Sequence, residues 1–308
     1  MLIMAVNRSP SAFLRILLII STMIIASCAR TPGDLFEDFS PSISSQDTDF
    51  TTVAQFADYA AAAYRSEEEI RALFPDTVRV GTPQGTKATY FLEVLPQYKL
   101  QTISVRGTHS FNDMLHDIEF RIVQDNLANA SFHKGFQADA LLIYADVKPF
   151  LNKSYRTRLT GHSLGAAVSA ILMIYMQRDG YIIEPSVNFG QPKFTNAAGA
   201  RLYEDLPLQR VVDANDVVPM LPPTFAKHPK YGIYTHLGEE IILLDGPDYV
   251  RLNTHDAERI SVDEYWRERS FASKEDHRMT QYVSRIDVPS RMITLTLAVG
   301  PFLLQDGF

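Results

Sequence analysis

The sequence predicts an α/β fold, a mainly parallel central sheet with helices on both faces, built as one domain over residues 51–308. Three observations predict it. Short strand-like runs alternate with helix-length segments of apolar period. One such run passes through Gly161-His162-Ser163-Leu164-Gly165 directly into a strongly apolar segment. The chain has 308 residues, 46% hydrophobic and 21% charged, which is ordinary globular material with enough apolar side chain for a large core.

The elements follow in order. Residues 53–65 are Ala-rich with a helical apolar period, so a helix is expected. Residues 88–95 and 100–106 read as strands. Residues 137–151 read as a helix that ends near Pro149, because proline cannot continue the hydrogen-bond ladder. Residues 157–160 form a short strand, and 165–177 a helix apolar all round and therefore buried. Residues 186–190 are a strand, 195–205 a helix, and 209–213 and 240–244 two more strands. A last helix is expected over 279–286. There is no internal repeat and no low-complexity tract.

The pentapeptide around Ser163 is a G-x-S-x-G motif, weak by itself and specific only in its setting. A strand precedes it and a small-residue helix follows. Glycine on either side lets a tight turn pass close to its neighbours while the serine hydroxyl is lifted clear. Leu164 opens the helix, so its N–H has no acceptor within the helix and faces the same point as the hydroxyl. The helix dipole adds favourable potential for a developing oxyanion there. A plain Gly-Ser turn at a strand-helix joint is the bland alternative. His162 adjoins the serine in sequence, but on such a turn it points elsewhere and reads as structural.

Charge excludes some classes. Lys+Arg is 29 against Asp+Glu 36, for a net charge of −7. No basic stripe is present, so nucleic acid is not an expected partner. No H-E-x-x-H, EF-hand or phosphate-loop motif occurs, and the expectation is an enzyme with neither cofactor nor metal. The one cysteine, Cys28, allows neither an internal disulfide nor a Cys-rich zinc site.

That cysteine has an informative position. Arg8 and Arg15 precede the uncharged run of residues 16–26, which is too short to span a bilayer and suits the apolar region of a signal peptide. Ile25-Ala26-Ser27-Cys28 then resembles the lipobox of bacterial lipoproteins, in which the cysteine is lipidated and becomes the new N-terminus. Residues 1–27 are thus read as a signal peptide and 28–50 as a flexible tether rich in Ser, Asp, Pro and Thr. The implied location is the cell envelope, with a lipid anchor on Cys28 as the contact with the membrane. Ala29 resembles outer-membrane sorting in a Gram-negative host. A short membrane anchor, or an ordinary secretory signal, is the alternative.

Six motifs then occur in one order: Val105-Arg106-Gly107-Thr108, Phe132-His133-Lys134-Gly135-Phe136, the Thr160 to Gly165 turn, Phe189-Gly190-Gln191-Pro192-Lys193, Asn215-Asp216-Val217-Val218-Pro219, and His236-Leu237-Gly238-Glu239-Glu240. Together they resemble the fungal-type, class 3 triacylglycerol lipases of the α/β-hydrolase fold. The resemblance implies a serine hydrolase that cleaves carboxylic esters of lipids through an acyl-enzyme on Ser163. It selects Asp216 over nearby Asp213 as the acid. Of four later histidines, His228, His236, His255 and His277, it favours His277, which follows Asp276 and opens a helix containing Tyr282; His255 stays open as the alternative. It places the oxyanion hole at the N–H groups of Thr108 and Leu164. It also makes residues 109–117 a mobile lid, in which Phe111, Met114 and Leu115 share one helical face; a surface helix packed on the body is the other reading. A phospholipase or short-chain carboxylesterase would use the same triad. A non-catalytic envelope scaffold is the rival from outside enzymology.

Overall fold

The computed structural model describes residues 48–86, 88–108, 121–222, 233–244, 249–252 and 276–287. Cys28, the lid residues Phe111, Met114 and Leu115, and both His228 and His255 lie outside them. Helix α1 (Phe50–Ala62) begins where Asp49 accepts hydrogen bonds from the N–H groups of Thr51 and Thr52. Val53, Phe56, Ala57 and Ala60 fall on its buried face; Val and Phe at such spacing contribute about 1.5–3 kcal/mol each by leaving water. Helix α2 (Glu67–Leu73) starts with a reciprocal cap between Ser66 and Glu69, and three glutamates occupy its first turn, where the helix dipole favours them.

The large sheet runs β1 (Thr77–Gly81), β2 (Tyr90–Leu95), β3 (Leu100–Val105), β6 (Arg156–His162), β8 (Ser186–Phe189), β10 (Leu208–Asp213), β12 (Glu239–Leu243) and β13 (Tyr249–Leu252), with short β7 (Ile182–Ile183) also paired to β6. From β3 to β12 every pairing is parallel; the two strands before β3 and the one after β12 are antiparallel. Helices α3 (Lys134–Val147) and α4 (Leu164–Arg178) pack on one face, and α1 with α6 (Met279–Ile286) on the other. Covered on both faces, β3 is buried at every residue, polar ones included. Two of its polar side chains are bonded: Gln101 donates to Asn152 O and Thr157 Oγ1, and Ser104 to Tyr59 O. Helix α4 is buried at twelve consecutive positions, so apolar all round in sequence means enclosed in the fold.

Two expectations need correction. Residues 195–205 are not one helix. Thr195 and Asn196 form strand β9, which pairs with Phe132 and Tyr234. Only then does α5 (Ala197–Leu202) start, with Asn196 capping Gly199 N–H. Strand β9 belongs to a second, antiparallel sheet that sequence patterning did not indicate. It contains β4 (Ile122–Asp125), β5 (Ala130–His133), β9 and β11 (Tyr234–Thr235).

Candidate active site

Ser163 sits on the turn between β6 and α4 with φ 60° and ψ −132°, a left-handed conformation that costs a non-glycine residue on the order of 1–3 kcal/mol. Surrounding contacts hold it there: Ser163 N–H donates to Phe189 O, and Ser163 O accepts from Ala166 N–H. The flanking glycines are fixed by closeness. A Cβ on Gly161 would lie 2.4 Å from Gly165 O, and one on Gly165 2.2 Å from Val105 O. Backbone cannot yield as a side chain can. Gly165→Ala is therefore expected to cost more than the usual 1–3 kcal/mol of overpacking, lowering the melting temperature by about 10 °C. An unchanged thermal transition would show that α4 can ride away from β3.

Three groups converge at the carboxyl end of the sheet. His277, one turn ahead of α6, has Nε2 2.8 Å from Ser163 Oγ and Nδ1 2.7 Å from Asp216 Oδ2. A carboxylate can only accept, so Nδ1 carries the proton and Nε2 is left to accept from the serine hydroxyl. Asp216 takes two further bonds: Oδ1 from Val218 N–H at 2.8 Å and Oδ2 from Tyr282 Oη–H at 2.6 Å. Tyr282 Oη in turn accepts from Asp213 N–H at 3.1 Å. Ser163, His277 and Asp216 are 2%, 6% and 1% exposed, so this relay lies away from bulk water. Asp213 is not part of it. Its Oδ1 accepts from Asn215 N–H and its Oδ2 lies 2.7 Å from Arg285.

His162 is structural, as its place on the turn suggests, and it also touches the site. Its ring stacks on that of His277 with centroids 4.7 Å apart. Nε2 lies 2.7 Å from His277 O, and Nδ1 2.7 Å from Tyr64 Oη. The carbonyl can only accept, so Nε2 donates and Nδ1 accepts the tyrosine proton. Tyr64, unmarked by any motif and 98 residues upstream, thus helps to fix the backbone of His277. It also meets Gly107, where an added Cβ would lie 2.8 Å from Tyr64 Oη and 2.9 Å from Ser163 Cβ. The end of β3 therefore passes directly beside the nucleophile, which brings Thr108 to the same corner as Leu164 at the start of α4.

Burial sets the titration of several groups here. It drives His162 well below the ordinary imidazole range, and adjacent His277 adds to the effect. His236, whose Nε2 donates to Pro219 O, is likewise depressed by burial and by Arg210 and Lys193. Burial pushes Asp213 up to about 7. Below pH 6.5 the unfolded chain gains two histidine protons that the folded one refuses, so stability falls as pH drops. Asp213 acts oppositely, because it keeps its proton in the fold up to about 7 while the unfolded carboxyl loses it near 3.8. The two histidines outnumber Asp213, so their contribution should make stability rise with pH between 5 and 6. Urea midpoints across that range check it; a flat or falling trend would contradict the assignment.

Comparison with known proteins sharpens the picture. Residues 102–226 match the class 3 lipase family. That span carries Thr108, Ser163 and Asp216, whereas His277 lies beyond it. Rhizomucor miehei lipase is 29% identical over 170 residues, 51% of this chain and 45% of that one. The chain spans about half the length of the curated lipases it matches. In structure it is similar to lipase II from Rhizopus niveus, with a TM-score of 0.60 at 22% identity, covering 75% of this chain and 94% of that one. It is also similar to a triacylglycerol lipase whose catalytic centre is a serine protease triad, at TM-score 0.56 and 22% identity, over 74% and 92% of the two chains. These likenesses establish the α/β-hydrolase fold.

Proposed function

We propose that this chain is a lipid-anchored serine hydrolase that cleaves carboxylic esters of lipids, a lipase of the class 3 type. The observation that supports it most is the bonded series from Ser163 Oγ through His277 to Asp216 on a strained strand-helix turn. Ser163 attacks the ester carbonyl as His277 Nε2 takes its proton. His277 then protonates the leaving alcohol, and water repeats the sequence to release the acid. Asp216 holds the imidazole in the useful tautomer and stabilises the imidazolium. The N–H groups of Leu164 and Thr108 receive the negative charge on the carbonyl oxygen. Residues 109–117 would serve as the lid over this site, a role that rests on the family resemblance.

The anchor reading rests on the Ile25-Ala26-Ser27-Cys28 resemblance, with secretion as the alternative. Among the described residues no helix is long and apolar enough to cross a membrane. Hydrolysis of p-nitrophenyl esters from acetate to palmitate tests the enzyme reading. Long chains favoured, with a jump in rate once substrate exceeds its solubility, mark a lipase with a lid. Smooth saturation on acetate and butyrate marks an esterase.

A further inference from the structure

The second sheet bears on the catalytic acid through one end of its β9–β11 ribbon. In that ribbon Asn196 stands opposite Tyr234 and Thr195 opposite Thr235. Strand β5 steadies it from the other side: Thr195 pairs with Phe132, and His133 N–H donates to Phe194 O. The antiparallel register brings the residues before Thr195 and after Thr235 out at the same end. There Lys193 N–H donates to Leu221 O at 2.7 Å, and His236 Nε2–H to Pro219 O at 2.7 Å. Both acceptors lie on the loop that carries Asp216.

That loop has little regular structure of its own. Beyond β10 it makes one short 3-10 turn, Val218–Met220, closed by Met220 N–H to Val217 O and Leu221 N–H to Val218 O. The first amide of the turn, Val218 N–H, holds Asp216 Oδ1 at 2.8 Å. Where the turn sits therefore decides where the carboxylate points. Pro219 has no N–H, so its carbonyl is the backbone group by which it can be held. His236 is fully buried, and the chain beside it is fixed: Leu237 is in the core, and Gly238 takes φ 90°, where a Cβ would lie 2.5 Å from Leu208 O. Burial and the charges of Arg210 and Lys193 hold the ring neutral, so it offers one proton in one direction.

We propose that His236 is a positioning residue for the catalytic acid: through Pro219 O it fixes the turn whose Val218 N–H aims Asp216 at His277. This rests on the hydrolase reading, in which Asp216 serves the base. The ring bonds Pro219 O and no member of the triad, so its effect should fall on kcat and pass through Asp216.

Turnover of p-nitrophenyl butyrate by position-236 variants tests it. His236→Leu fills the space and removes the donor. It should lower kcat by about ten- to a hundredfold, the range that a misplacement of about 1 Å costs, with KM unchanged. His236→Gln returns a neutral donor of similar reach and should come within about threefold of wild type, the scale of one imperfectly aligned hydrogen bond. In the Asp216→Asn background His236→Leu should cost nothing further, because the group it positions is already gone. His236→Asn, an amide too short for Pro219 O, replaces His236→Leu if that variant does not fold. A loss that multiplies with that of Asp216→Asn, or a Gln variant as slow as the Leu variant, would make His236 a packing residue and overturn the proposal. A folded His236→Leu with wild-type kcat would overturn it as well. A folded wild-type chain that leaves butyrate uncleaved would overturn the hydrolase reading instead.

Discussion

Ser163→Ala should lower turnover of a p-nitrophenyl ester by about 10⁵–10⁶ and leave the fold intact. The size follows from the way a nucleophile, base and acid act as one unit: losing the attacking atom costs nearly as much as losing all three. A residual rate about 10³–10⁴ above water should survive, because the proposed oxyanion donors, the Leu164 and Thr108 amides, are left in place. Stability should change little. Alanine takes φ 60° no less readily than serine, and the hydroxyl's bond to His277 Nε2 is worth about 1 kcal/mol. A fluorophosphonate probe gives a second reading. It should add its mass to the wild-type chain and not to the variant. Labelling that persists without Ser163, or turnover reduced less than tenfold, would place the nucleophile elsewhere. A folded wild-type chain that neither labels nor turns over would return the weight to a scaffold.

How much of this was readable from the chain depends on whether a feature is local. The buried helix α4 and the turn before it could be read because an unbroken apolar run, and glycines at fixed spacing about a serine, are local signals. Strands β4 and β5, four residues each, could not. Their stability comes from pairing with each other and with β9, across some sixty residues of chain, and so few residues show no period. Thr195 and Asn196 lie directly before an Ala-rich helix and form strand through pairing with Phe132 and Tyr234. The site divides the same way. Spacing alone left Asp213 and Asp216 equal; a resemblance chose between them, and only three dimensions show Asp213 turned towards Arg285. Tyr64 had no signal at all, since its partner is brought to it by the sheet.

Asp216→Asn should lower kcat by about 10⁴ with KM little changed, and the surrounding donors explain why so small a change does so much. In the native site both carboxylate oxygens accept: Oδ1 from Val218 N–H, Oδ2 from His277 Nδ1–H and Tyr282 Oη–H. An amide has only one oxygen. The Val218 N–H is backbone and cannot rotate, so the amide oxygen must face it, and the NH₂ group is forced towards His277. Tyr282 can turn its hydroxyl to accept. His277 can accommodate an NH₂ only by moving its proton from Nδ1 to Nε2, and Nε2 then has no lone pair with which to take the serine proton. The variant is thus expected to keep its geometry and lose its base. Asp213→Asn is the control. That side chain bonds Asn215 N–H and Arg285 and no reacting group, so kcat should stay within about tenfold while the pH dependence of stability changes. If Asp213→Asn were the variant that lost 10⁴, the two acids would have to exchange roles.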